Sequence, residues 1–269
     1  MRNGILTGKK GLILGVLNEK SIAWPIAKQC YNEGADIVLT NTSLAVRFSD
    51  TKALAKEIDA KVIPADVTKL IDIENLINAC TQFFEGKIDF ILHSVAMSPN
   101  IRKKHPYNDV NYDYYATTLN TSAVSLHKIL QVCAKKDAIN EWGSILALTF
   151  IAANKAFPYY NDMADAKALL EGITRNFGLY FGEEKHIRIN TVSQSPVRTS
   201  AGEGIQGFED FFYLSDMLSP LGNAPVSELA KFCSMLFSDY SRYVTMQNIF
   251  HDGGFSTTGL THKLINKFR

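Results

Sequence analysis

The stretch Gly8-Lys9-Lys10-Gly11-Leu12-Ile13-Leu14-Gly15-Val16-Leu17-Asn18-Glu19-Lys20-Ser21-Ile22-Ala23 reads as a buried strand ending in glycine, a short loop and the opening of a helix. In an open α/β sheet the first strand-to-helix turn faces the ligand crevice. Backbone N–H groups there, together with the positive end of the helix dipole, can hold a diphosphate. Ser21 suits the N-cap of that helix and can also offer its hydroxyl to a phosphate. The pattern is not G-x-G-x-x-G, and one glycine with one serine would serve a plain capped helix equally well.

Outward from this unit the same alternation repeats. Short apolar runs rich in β-branched and aliphatic residues occur at Gly11–Leu14, Asp36–Leu39, Lys61–Ile63, Ile88–His93, Ser144–Leu148, Ile187–Val192 and Gln247–Phe250. Such runs suit parallel strands covered on both faces. Between them, segments of helical period lie near 22–33, 51–58, 70–85, 112–135, 159–181 and 226–237. Strand and helix alternating this often predict an α/β fold. The expectation is a single doubly wound, Rossmann-like domain over residues 1–269, with a central parallel sheet of about seven strands and helices on both faces. No internal repeat or Pro/Gly/Ser-rich linker divides it.

Composition limits the function classes. A chain of 269 residues with 46% hydrophobic and 20% charged content is that of an ordinary globular protein. A formal net charge of +1 gives no pointer to nucleic acid or to an anionic membrane surface. Arg102-Lys103-Lys104 reads as a solvated patch. Cys30, Cys80, Cys133 and Cys233 stand far apart without ligand spacing, so neither a metal site nor a disulfide framework is expected, only reduced and mostly buried thiols. The N-terminus lacks a signal-peptide apolar run, and no segment approaches the ~18 apolar residues of a membrane span. The expectation is a soluble, cytoplasmic protein.

Between residues 199 and 219 the pattern breaks. Gly202, Gly204 and Gly207 precede the aromatics Phe208, Phe211, Phe212 and Tyr213. A long connection in a compact domain is usually functional or disordered. Two readings stand side by side: a mobile lid over an apolar ligand, and a surface helix docking its aromatics into the core.

At the end of the second strand, Leu39-Thr40-Asn41-Thr42-Ser43 offers no acid for a ribose 2′-hydroxyl and no adjacent cation for a 2′-phosphate. NADH is preferred on this ground, with NADPH possible. Asp66, beside Val67, can either meet an adenine amino group or cap the following helix. Tyr160 and Lys167 stand seven residues apart in a helical segment, nearly two turns, so both project from one face about 10 Å apart along the axis. A phenol near its ordinary pKa of about 10 is a poor acid or base at neutral pH. A neighbouring ammonium is expected to lower that value and to bond the ribose hydroxyls.

Taken together, these segments resemble the short-chain dehydrogenase/reductase superfamily, and within it the enoyl-acyl-carrier-protein reductases of bacterial fatty-acid synthesis. The resemblance is carried, in order, by Gly15-x5-Ser21-Ile22-Ala23, His93-Ser94-Val95-Ala96-Met97-Ser98-Pro99, Tyr160-x6-Lys167, Ser195-Pro196-Val197-Arg198-Thr199 and His251-Asp252-Gly253-Gly254-Phe255. It implies NADH-dependent reduction of a trans-2-enoyl thioester on acyl carrier protein, with Tyr160 and Lys167 catalytic, in a homotetramer. It further implies a diphosphate on Gly15, Ser21 and Ile22, and adenine on Asp66 and Val67. Ser94, Ala96 and Lys167 would meet the ribose-nicotinamide side, Val197 and Thr199 the carboxamide and phosphates. Ala96, Phe150, Tyr160 and Met163 would face the substrate.

Three positions depart from the family pattern. Phe150 stands where a second tyrosine is usual, which implies slower turnover with water delivering the proton. Pro25 stands where glycine is common in the first helical turn, and would cost a backbone bond if Ser21 is the cap. Ala96 replaces a glycine and narrows the pocket. Position 147 is alanine, where reductases of ketones carry a serine, and this disfavours a short-chain dehydrogenase acting on a ketone or alcohol. A degenerate copy that binds cofactor or acyl chain with little turnover is the other alternative.

Overall fold

The computed structural model describes residues 3–199 and 202–268. Seven parallel strands form one sheet: β1 (Lys10–Leu14), β2 (Asp36–Thr40), β3 (Lys61–Val62), β4 (Ile88–His93), β5 (Ile139–Thr149), β6 (Arg188–Gln194) and β7 (Asn248–His251), in the spatial order β3-β2-β1-β4-β5-β6-β7. The helices are α1 (Ala23–Asn32), α2 (Ser43–Phe48), α3 (Thr51–Glu57), α4 (Leu70–Phe83), α5 (Pro99–Arg102), α6 (Tyr112–Leu119), α7 (Ser125–Lys135), α8 (Asn161–Lys185), α9 (Phe208–Leu218), α10 (Val226–Phe237) and α11 (His262–Ile265). A π-helical turn at Asn120–Val124 joins α6 to α7, so the expected helix 112–135 is continuous but underwound at its middle.

Alternation along the strands sorts their side chains into two cores. Leu12, Leu14, Val38, Ile91, Ile145, Ala147 and Ile189 meet α4, α7 and α8 on one face. Ile13, Leu39, Phe90, Leu92, Leu146, Leu148 and Val192 meet α1, α3 and α10 on the other. Both faces of each central strand are therefore dry, which is why the runs read as unbroken apolar sequence. Cys30, Cys80, Cys133 and Cys233 are free and buried in these two layers.

Two sequence expectations are refined. β5 begins five residues before Ser144, because Ile139 pairs with Ile88 before a register shift that puts Trp142 in the left-handed region. The connection after β6, read from the sequence either as a mobile lid or as a docked surface helix, carries a regular helix, α9; Ser200 and Ala201 of that connection lie outside the described residues, as do Met1 and Arg2 at the N-terminus. Among the described residues, no helix is long and apolar enough to cross a membrane.

Candidate active site

β1 lies between β2 and β4, and the chain leaves β1 and β4 toward opposite faces, which opens a crevice at their carboxyl ends. Gly15 lines that crevice with φ +98°, and a Cβ there would stand 2.0 Å from the carbonyl oxygen of Ser94. Two backbones thus touch where the loops after β1 and β4 diverge. α1 starts at Ala23 with Ile22 as its N-cap and no side-chain cap. Ser21 is therefore not the helix cap: its Oγ accepts from the N–H groups of Leu17 (3.0 Å) and Asn18 (3.1 Å) and shapes the loop. Pro25 consequently falls third in α1, among the N–H groups that have no intrahelical partner anyway, and costs no bond. At the end of β2 the Thr40 hydroxyl is buried with no partner among the described residues.

Asp66 does not cap α4, whose N-cap is Lys69. Its Oδ1 accepts from the backbone and hydroxyl of Thr68 at 3.0 and 2.6 Å, and Lys69 lies at 3.4 Å from Oδ2. Burial raises its pKa, but the bonds from Thr68 and Lys69 outweigh this and hold the carboxyl below its ordinary range. Val67 is buried in the core face beneath.

Tyr160 is the N-cap residue of α8, and Lys167 lies nearly two turns on. The lysine is buried and donates to the carbonyl of Leu148 at 2.8 Å, at the end of β5. Burial brings its pKa down to about 8, against a partly compensating carboxylate at Glu171. Glu171 is itself buried, accepting from Thr149 (2.9 Å), Asn248 (3.0 Å) and Asn154 (3.3 Å). Burial pushes the Tyr160 phenol up, not down. The expected lowering by Lys167 is not what the site does; the tyrosine stays a neutral donor through the physiological range. No described group hydrogen-bonds its hydroxyl. Phe150 packs on it with ring centroids 5.0 Å apart, and Phe157, Phe211 and Phe255 complete an aromatic wall.

Met163 is buried one turn along α8. Ala96 is exposed and Ser94 half-buried after β4; Val197 is half-buried and Thr199 buried after β6, its Oγ1 accepting from the N–H of Gly202 at 2.9 Å. Ala147 is fully buried within the sheet, so position 147 presents no hydroxyl.

The comparisons with known proteins match this geometry along nearly its whole length. A family model described as enoyl-(acyl carrier protein) reductase matches residues 15–256. This chain belongs to that family. It is 35% identical over 261 residues to an NADH-type enoyl-acyl-carrier-protein reductase of Rhizobium meliloti, covering 96% of this chain and 94% of the relative. A counterpart in Rickettsia conorii is 34% identical, covering 97% and 99%. Among solved structures, the FabI–NADH complex from Alistipes finegoldii superposes with a TM-score of 0.95 at 54% identity, covering 96% of this chain and 92% of that one.

Several residues of this reductase site escape the sequence reading. Asp162, in the first turn of α8, is fully buried and accepts from Ser98 Oγ (2.6 Å), Asn100 Nδ2 (2.8 Å) and Thr118 Oγ1 (2.8 Å). His93, ending β4, is buried with one ring nitrogen 2.8 Å from Ser125 Oγ. Ser125 donates to the Thr121 carbonyl, so it accepts from His93 Nε2–H and leaves Nδ1 unprotonated and without a described partner. Burial, with the charge of Lys167, brings the pKa of His93 down to about 3. Phe157, Phe211 and Phe255 are half-buried around Tyr160 and are invisible as a group because they come from three separate connections.

Proposed function

We propose that this enzyme reduces the trans-2 double bond of an enoyl thioester carried by acyl carrier protein, with NADH as reductant. The observation that carries the reading is Tyr160: a neutral phenol without a hydrogen-bond partner among the described residues, walled by aromatic rings and on the same helix face as a buried lysine.

The cofactor end fits a dinucleotide. Gly15 leaves a bare backbone floor that any Cβ would fill, the first turn of α1 is uncapped by a side chain, and the buried Thr40 hydroxyl lacks a partner. Gly15, Ser21 and Ile22 would hold the diphosphate, Asp66 and Val67 the adenine, and Ser94, Ala96 and Lys167 the nicotinamide ribose. Val197 and Thr199 would take the carboxamide and phosphate. A reduced nicotinamide held by these residues would supply the hydride that the β-carbon of the substrate takes up.

The remaining work falls to the chain. Tyr160 donates to the thioester oxygen and stabilises the negative charge that develops on it, where a preoriented donor counts most. Lys167 keeps the site positive. Phe150 packs on Tyr160 and has no proton to give, so the α-carbon takes its proton from water. Ala96, Phe150 and Met163 line the acyl side, with α9 as the lid over it. We read the chain as one unit on one sheet, working as a homotetramer in the cytoplasm.

The test is oxidation of NADH, and separately of NADPH, by an enoyl-acyl-carrier-protein thioester. Tyr160→Phe and Lys167→Ala should each lower kcat/KM by about 100-fold or more. Wild-type rates in both would sink the assignment. Phe150 alone favours a second reading, a cofactor- and acyl-binding copy with little turnover; tight NADH binding with no enoyl-dependent oxidation would establish it.

A further inference from the structure

We infer that Asp162 is the positioning residue that holds Tyr160 in its reactive orientation, through a carboxylate that gathers three neutral donors from two segments, the start of α5 and the end of α6. This rests on Tyr160 being the group that meets the substrate oxygen.

The turn that carries Tyr160 is strained on both sides. Tyr159 has φ +65° and Asn161 φ +44°, and neither is glycine. Left-handed backbone costs a bulky residue such as Tyr159 about 1–2 kcal/mol and an asparagine less, and at Tyr159 it persists only where surrounding contacts over-determine it. Two contacts do so here. The side chain of Asn161 donates to the carbonyl of His105. Asp162 then fixes the next residue through Ser98, Asn100 and Thr118.

Those three donors are anchored in turn. The Ser98 hydroxyl caps α5 by accepting from the N–H of Ile101 at 3.0 Å. The Asn100 amide is held by Asn111, accepting from its N–H at 3.0 Å and donating to its carbonyl at 3.2 Å. Thr118 sits in α6, and its single hydroxyl proton is shared between Asp162 at 2.8 Å and the carbonyl of Tyr114 at 2.9 Å. Asp162 therefore ties the loop after β4, which carries Ala96, to the turn that carries Tyr160. Among the described residues no cation is bonded to this carboxyl group; these neutral donors meet it at the N-terminal end of α8. Replacing such a buried hydrogen-bond network by apolar groups of the same shape is nearly neutral or stabilising, so stability alone does not account for it. Asparagine is an imperfect substitute: its oxygen can still take Asn100 and Thr118, but its NH2 then faces Ser98, whose hydroxyl must turn from donor to acceptor.

The test compares steady-state kinetics with thermal stability. Asp162→Asn should lower kcat by at least about tenfold at saturating NADH and enoyl thioester, the scale of a small misplacement of a reacting group. The Kd for NADH, measured by fluorescence titration, should change less than about twofold, because the diphosphate end is untouched. Thr118→Val should give a smaller fall in kcat, and Thr118→Ser, which keeps the hydroxyl, should restore it. Leu170→Ala, a buried change on the same helix, should lower Tm at least as much while leaving kcat within about twofold. If Asp162→Asn does not fold, the Thr118 pair decides alone. A wild-type kcat in Thr118→Val, or equal losses of kcat in Leu170→Ala and Asp162→Asn, overturns the inference. A wild-type rate in Tyr160→Phe removes the reading of Tyr160 on which it stands.

Discussion

Lys167 and Tyr160 are pushed in opposite directions by the same burial. The lysine loses its proton near pH 8, while the phenol keeps its own well above that. The pH profile of kcat/KM, which reports the free enzyme, should therefore fall on an alkaline limb near 8, and Lys167→Arg should move that limb upward. The folded value of this lysine lies below its ordinary 10.5, so the folded state gains relative stability from it as pH rises from about 8 toward 10.5. The four buried thiols, whose folded pKa is raised, pull the other way as pH climbs past their ordinary value, so a Tm measured alongside separates lost chemistry from unfolding. Gly15 makes a sharper point. Gly15→Ala meets both a positive φ and a carbonyl 2.0 Å away, so the loops after β1 and β4 must separate. NADH affinity should drop at least about tenfold by titration, and stability by about 2 kcal/mol, the usual scale of a strained backbone substitution. A variant that binds NADH like the wild type would show that the crevice floor is not where the diphosphate lies.

α9 is held by two unlike kinds of contact. Arg198 and Glu209 form a two-pronged pair at 3.1 and 2.9 Å, and the guanidinium lies over Phe212. Both partners are exposed, and exposed pairs contribute little. Phe211 instead packs edge-on against Phe150 and Phe157. Glu209→Ala should leave Tm and KM for long-chain enoyl thioesters nearly unchanged, whereas Phe211→Ala should raise that KM and cost about 1–3 kcal/mol, less than for a fully buried ring. Equal effects would mean that the ion pair holds the helix. The sequence announced this region only as glycines followed by aromatics, because packing of α9 depends on rings contributed from residues 150, 157 and 255. Legibility elsewhere follows the same division. Strands such as Ile88–His93 and helices such as Val226–Phe237 are set by local periodicity and could be read directly. Asp162 could not: an acid in a first helical turn usually faces water, and here its burial is decided by donors 44 to 64 residues away. Tyr160 and Lys167 were legible through their spacing and neighbouring motifs, but the direction of the tyrosine's proton affinity needed the burial that only the folded site supplies.

The sheet as a whole puts the chemistry at the carboxyl ends of its central strands and the bulk of the apolar mass in two layers on its faces. Its two cores also enclose every cysteine of the chain. Burial pushes the thiols of Cys30 and Cys133 up to about 12 and those of Cys80 and Cys233 higher still. The thiolate is the reactive form, so at neutral pH none of the four presents a nucleophile. Iodoacetamide should leave the native enzyme unmodified by mass spectrometry and fully active, while modification in denaturant should add four groups. Rapid native modification of any one would mean that its layer opens readily. The wild-type protein is thus a silent background for site-specific labelling: one cysteine introduced at an exposed position of α9, such as Tyr213, can carry a fluorophore without first removing the natural four.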